Sequence, residues 1–240
     1  MPPGICHLCG DRTALVASHV FPEFFYEGTY DESHRYISVT SHPRHRPRPM
    51  QRGLTEPLLC SPCDGQIGRY ESYSATLLRR ADAAVDQNQK GITLAEVDFT
   101  LFRLFGLSLL WRAHIARGHL FATVNLGPFA ARIASMIRHE DPGEPHEFGF
   151  ALAKVVGLDT HGSMITAPAI SRYEGHRAYH FMARGYDWAF VVSGRSDRLR
   201  DQFPFIGDHS VLHIPFIARD RRRLFASIRQ AFPRAFESRK

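Results

Sequence analysis

Four cysteines are the residues of this sequence whose type and spacing most clearly indicate chemistry. They form two C-x-x-C pairs, Cys6 with Cys9 and Cys60 with Cys63, and the chain contains no other cysteine. The tight turn of such a pair points both sulfurs the same way, so two pairs supply the four thiolates of a tetrahedral zinc site. Because such a site has no open position for water, the zinc is expected to be structural. Four buried free thiols are the alternative.

The start of the sequence favours reduced cysteines in a reducing compartment. No secretory leader is recognisable at the start of the sequence, which favours metal-binding thiolates over disulfides. A cytoplasmic location is therefore expected. The strongest apolar run, residues 99–116, is interrupted by Arg103, Arg112 and His114, so we expect a buried helix and no membrane partner.

A second candidate site is a basic segment that lacks acidic residues. The chain carries a net charge of +6, and residues 33–55 contain five arginines and three histidines but no Asp or Glu. Arginine presents a planar fork that suits phosphate, and the alternating prolines of HPRHRPRP favour an exposed loop. We therefore expect nucleic acid as a partner, with its phosphates bound by Arg44, Arg46, Arg48 and Arg52. A bias toward arginine codons is the alternative.

Hydrophobic periodicity predicts helices followed by a sheet. Helices are expected over residues 64–89, 98–117 and 128–139. The second is apolar on nearly all sides and is therefore expected to be the central core element. Short segments rich in aromatic and branched residues, separated by glycine-containing turns, then predict an antiparallel meander over 148–215. Basic residues over 221–229 predict a final amphipathic helix.

Together these elements predict an α+β fold in two parts. Residues 1–90 would form a treble-clef zinc module, in which a knuckle, a strand hairpin and the helix after Cys63 hold one ion. Residues 91–240 would form an α+β body that contains the helices over 98–139, the C-terminal antiparallel sheet and the basic helix.

The segment around the cysteine pairs resembles one known family. Its pattern C-x-L-C-G … L-x-x-S-H-V-x-P … L-L-C-x-x-C-D, over residues 5–72, is similar to HNH endonucleases whose ββα core is pinned by two C-x-x-C pairs. This resemblance implies metal-dependent cleavage of phosphodiester bonds and a catalytic divalent ion, Mg²⁺ or Mn²⁺, separate from the zinc. The whole chain also resembles a group of uncharacterised bacterial proteins that share SH-x-x-PE and DPGEPHE.

The HNH resemblance also implies roles for individual residues. His19 matches the histidine that takes a proton from the attacking water, and Asp64 falls where the family often places a metal ligand at the start of the helix. Ser18 stands where the first metal ligand is expected, and Thr55 lies near the position of the asparagine that orients the base. Three further carboxylates are available to compensate: Glu23, Glu56 and Glu71.

Two hypotheses about function stay open at this point. The first is an HNH-type endonuclease with a structural zinc and a separate catalytic ion. The second is a catalytically inactive, zinc-stabilised module that binds nucleic acid or a protein partner. Ser18 and the absence of a clear middle asparagine favour the second.

Overall fold

The computed structural model describes the chain over residues 3–38, 48–86, 89–156, 164–200, 204–207 and 211–218. The strands are β1 (Pro3–Ile5), β2 (Arg12–His19), β3 (Tyr36–Ser38), β4 (Arg48–Met50), β5 (Thr55–Cys60), β6 (Gly91–Ala95), β7 (Phe150–Val156), β8 (Ala169–Tyr173), β9 (His176–Ala183), β10 (Tyr186–Val191) and β11 (Val211–Ala218). The helices are α1 (Ser61–Ala83), α2 (Phe99–Ile115) and α3 (Ala130–His139). The predicted basic C-terminal helix lies outside the described residues, as do Arg44 and Arg46.

A small sheet and one long helix form the N-terminal part. The three strands β1, β2 and β5 pair in that order, all antiparallel, with Leu15 opposite Cys60 and His19 opposite Thr55. Helix α1 follows β5 without a loop and begins three residues before its predicted start, because Pro62 suits the first turn of a helix. The result is the predicted hairpin followed by a helix, with the second cysteine pair at their junction.

Helix α2 is the central element, as its apolar sequence predicts. Every residue from Phe102 to Ala113 is buried, and Asp98 caps the start by accepting a hydrogen bond from the backbone N–H of Leu101 at 3.0 Å. No described helix combines the length and the apolar character required to cross a bilayer. A Cβ at Gly106 would lie 2.2 Å from the ring of Phe150, so this glycine allows α2 to approach the large sheet closely.

The C-terminal sheet has six strands in the order β6-β11-β7-β10-β9-β8. It confirms the predicted α+β class, but it differs from a simple meander in two ways. Strand β6 joins the sheet from outside the 148–215 segment, and β11 runs parallel to β7 while the other neighbours are antiparallel. The long return from β10 to β11 brings β11 between β6 and β7.

One hydrophobic core connects the small sheet to the large one. Phe21, just after β2, stacks on Phe181 of β9 with ring centroids 4.6 Å apart. The ring centroids of Phe25 and Trp188 of β10 are 5.4 Å apart. A buried polar contact adds to this packing, since Lys154 of β7 donates to Asp82 of α1 at 2.7 Å. The proposed boundary at residue 90 therefore separates segments of sequence that share one core.

Candidate metal centre and the His19 site

The four cysteines meet at one point of the structure. Their sulfur atoms all lie within 4.8 Å of one another, and the sulfurs of Cys9 and Cys60 are 3.9 Å apart. Three of the four cysteines are buried and Cys9 is partly exposed. Two residues 51 positions apart thus lie in contact, which is the arrangement that the two C-x-x-C pairs predicted.

The first pair is held in a compact knuckle. The backbone N–H of Gly10 donates to the carbonyl of Cys6 at 2.9 Å, and the N–H of Cys6 donates to the carbonyl of Asp11 at 2.9 Å. Gly10 has a φ of +83°, a conformation that glycine adopts without a steric penalty. The second pair spans the junction of β5 and α1, where the N–H of Cys60 points at the Cys6 sulfur over 3.4 Å.

Three of the thiols, those of Cys6, Cys9 and Cys63, have shifted pKa values. Burial by itself raises the pKa of Cys6, but backbone N–H groups, including that of Cys60, offset it and lower this pKa to about 7. The N–H of Asp11 lowers the pKa of Cys9, while burial and the neighbouring thiols raise it, with a net value of about 11. Burial and the other thiols raise the pKa of Cys63. A bound cation would favour the thiolate form at all four positions.

The donor set fits a metal ion such as zinc. A tetrahedral ion with sulfur ligands at about 2.3 Å separates neighbouring sulfurs by about 3.8 Å, close to the 3.9 Å between the sulfurs of Cys9 and Cys60. Small side-chain shifts would bring the remaining sulfurs to that spacing. Such an ion would cross-link the knuckle to the start of α1.

His19, the last residue of β2, lies against a carboxylate. Its Nε2 is 3.2 Å from Oε2 of Glu23, and about a third of its side chain is exposed. Glu23 is fixed in turn, because the Tyr30 hydroxyl donates to Oε1 and the N–H of Gly53 donates to Oε2 at 3.2 Å. A carboxylate beside Nε2 favours the tautomer that carries its proton on Nε2 and leaves Nδ1 as the acceptor. The pair can therefore act as a base or contact a phosphate.

Ser18 is buried, and the other two candidate carboxylates, Glu56 and Glu71, already have partners within the protein. Ser18 is fully buried, and its hydroxyl has no hydrogen-bond partner among the described residues. Glu56 accepts hydrogen bonds from the backbone N–H groups of Arg117 and Gly118, both at 2.8 Å. Glu71 forms an ion pair with the buried Arg112 at 2.7 Å. Of the three carboxylates, Glu23 alone has a described contact with His19.

Asp64 belongs to the cysteine end of the module. It lies in the first turn of α1, directly after Cys63, and Glu71 follows two turns later, about 10 Å along the helix axis. Within the described ranges, the four cysteines are the only group of three or more His, Cys, Asp or Glu side chains close enough to share an ion. No described contact joins Asp64 to His19.

Of the four arginines predicted to contact phosphate, Arg48 and Arg52 fall within the described residues, and Arg44 and Arg46 lie outside them. Arg48 opens β4, and Arg52 is exposed in the turn after it. The carbonyl of Arg52 accepts a hydrogen bond from the Tyr36 hydroxyl at 3.2 Å, which ties this turn to β3. The turn after β4 therefore places the exposed Arg52 beside Tyr36 of β3.

Sequence reasoning missed Arg112 as a part of this site. Its guanidinium donates to the carbonyl of His19 at 2.6 Å and pairs with Glu71, although it comes from α2. The available signal was a charged residue within an apolar helix, which predicts a buried partner. Its partners are 41 and 93 residues away in sequence, so the pattern alone did not identify them.

Comparison with family models, curated proteins and solved structures found no significant match to this chain. The resemblance to HNH endonucleases therefore depends on the cysteine pattern, the Ser-His-Val motif and the hairpin followed by a helix.

Proposed function

We propose that this protein is a zinc-stabilised, HNH-like nucleic-acid-binding protein. The observation that carries the proposal is the convergence of the four cysteines at the junction of hairpin and helix. Zinc bound by Cys6, Cys9, Cys60 and Cys63 would be structural, since all four positions are thiolates. The other end of the hairpin would then present His19 and the basic β3–β4 segment to the ligand.

The charge distribution supports binding to phosphates. The segment over residues 33–55 is basic and free of acidic residues, and the sequence pI is about 9.4. Contacts from arginine to phosphate give affinity with little sequence preference and a strong dependence on salt. We therefore propose the group Arg44, Arg46, Arg48 and Arg52 as the phosphate contact.

A salt titration tests the phosphate contact. Changing Arg44, Arg46 and Arg48 together to Ser should weaken binding and reduce the slope of log K against log salt by about 2 to 3. The matched control changes three exposed arginines of another surface, Arg195, Arg198 and Arg200, and removes the same charge. An unchanged slope in the first variant, or an equal loss in the control, would contradict this assignment.

An endonuclease is the second candidate, and the contact of His19 with Glu23 favours it. In that reaction His19 would take a proton from the attacking water, and Glu23 would stabilise the resulting imidazolium. The described residues do not fit a catalytic Mg²⁺ or Mn²⁺ site, because Ser18 is buried and Glu56 and Glu71 are already engaged.

Cleavage assays distinguish the two candidates. The wild-type protein is incubated with plasmid DNA and with RNA, in Mg²⁺, in Mn²⁺ and in chelator at a concentration that leaves the zinc bound. Cleavage that His19→Ala abolishes, and that His139→Ala at an exposed position of α3 leaves intact, would establish the nuclease. Binding without cleavage under all these conditions would establish the binding module.

A further inference from the structure

Three rings form an exposed aromatic surface next to His19. The His34 ring stacks on the Tyr30 ring, with centroids 3.9 Å apart and planes 19° from parallel. Tyr36 meets Tyr30 edge to face at 5.9 Å. His34 is exposed, and Tyr30 and Tyr36 are partly exposed. We call Tyr30, His34 and Tyr36 the aromatic ledge.

A tight turn over residues 31–35 positions the outer ring of the ledge. His34 has a φ of +53°, a left-handed backbone conformation that is sterically unfavourable for residues other than glycine. Asp31 secures the turn by accepting hydrogen bonds from the N–H groups of Ser33 and Arg35 at 2.9 and 2.8 Å, and the N–H of His34 donates to the Asp31 carbonyl at 2.9 Å. The ring of His34 is thus fixed over Tyr30 with its outer side toward solvent.

The ledge is continuous with the His19 site. The Tyr30 hydroxyl donates to Glu23, whose second oxygen lies 3.2 Å from His19. On the other side, Tyr36 donates to the carbonyl of Arg52, whose side chain is exposed. Planar rings and an exposed guanidinium therefore lie together on the surface that carries His19.

We propose that the aromatic ledge binds an unpaired base, so that the ligand of this protein is single-stranded nucleic acid. This inference rests on the proposed nucleic-acid binding and names its ligand class. A base stacks on an aromatic side chain only when its face is free, as in a single strand, whereas both faces of a base are covered within a duplex. Stacking depends little on the base sequence of the ligand. The proposed contacts from arginine to phosphate share this property, so the two kinds of contact are compatible.

An abasic oligonucleotide separates stacking from phosphate binding. Fluorescence anisotropy would compare a single strand, an abasic strand of equal length and a duplex, at one salt concentration. If bases stack on the ledge, the single strand should bind about tenfold more tightly than the abasic strand, since one stacked base contributes that order of affinity. Failure to bind either strand or the duplex contradicts the proposed function itself. Equal binding of both strands contradicts the ledge alone.

The variant His34→Asn removes the outer ring and keeps the turn, because asparagine tolerates a positive φ. It should lose most of the preference for the normal strand over the abasic one. His139→Asn makes the same substitution at an exposed position of α3 and should leave that preference unchanged. A preserved preference in His34→Asn would overturn the proposal.

A tryptophan at the same place gives a direct signal. The two natural tryptophans, Trp111 and Trp188, are buried, so the indole in His34→Trp would report on the surface. Stacking with a base should quench its emission on addition of the single strand and not of the abasic strand. Equal quenching by both, or quenching only by an added acidic peptide, would contradict base stacking.

Discussion

Replacing Arg112 should reveal how strongly α2 supports the hairpin that carries His19. In Arg112→Met an unbranched apolar side chain replaces the aliphatic part of arginine but not its guanidinium. Glu71 therefore loses its ionic partner, and the carbonyl of His19 loses its donor at 2.6 Å. The Arg112 side chain is only 2% exposed. The consequence to measure is the change in the free energy of unfolding.

The expected magnitude follows from the burial of the two charges. Removing one partner of a fully buried ion pair destabilises a protein by about 3 to 5 kcal/mol. The Glu71 side chain is 21% exposed and can regain some hydration, so we expect about 3 kcal/mol, the lower end of that range. The double variant Arg112→Met with Glu71→Leu should recover a large part of the loss, because no unpaired charge remains.

Arg69→Met is the matched control. Arg69 also pairs with a glutamate, Glu140, but these side chains are 58% and 45% exposed, so the loss should stay below about 1 kcal/mol. Urea unfolding followed by circular dichroism gives both values, provided that the slope with denaturant is unchanged. Equal losses in Arg112→Met and Arg69→Met would refute the assignment of Arg112 as a buried support.

Three further predictions concern the metal centre and the core. Cys60→Ser should lower the bound zinc, measured by elemental analysis, and also the melting temperature, because one ligand is lost. Gly106→Ala should lower the free energy of unfolding by about 1 to 3 kcal/mol, since the added Cβ would overlap Phe150. In Gly65→Ala the added Cβ would meet nothing within 4 Å outside its own helix, so this change should raise the free energy of unfolding by up to about 1 kcal/mol. Ser18→Ala should leave the free energy of unfolding equal or higher, because the buried hydroxyl has no hydrogen-bond partner in the described part of the chain. A clear loss of stability would contradict this prediction.

The parts of the structure that sequence predicted are those with local or repeated signals. Two C-x-x-C pairs place sulfurs in a fixed relation within each pair, and the closeness of the two pairs is confirmed. Helix α2 was predicted within two residues at each end, because its sequence is apolar on nearly all sides. These signals depend on neighbours a few positions away, where pattern and structure are directly related.

The parts that sequence missed depend on distant partners. Arg103 was interpreted only as an interruption of an apolar run, yet it is buried and donates to the carbonyls of Pro142, Glu144 and Pro145, about 40 residues later. Strand β6 was missed because five residues carry little pattern and its partner is β11. Glu23 was one of three carboxylates that the sequence offered beside His19, but the turn that brings it into contact has no motif that distinguished it from Glu56 and Glu71.

The position of β6 has a consequence for how the protein is made. Thr93 of β6 and His213 of β11 face each other although they are 120 residues apart. At about 5 to 20 residues per second, a ribosome needs on the order of ten seconds to synthesise that interval. During that time the nascent chain carries β6 and the apolar surface of α2 without the strand that completes the sheet. Newborn chains should therefore depend on chaperones until β11 has left the exit tunnel.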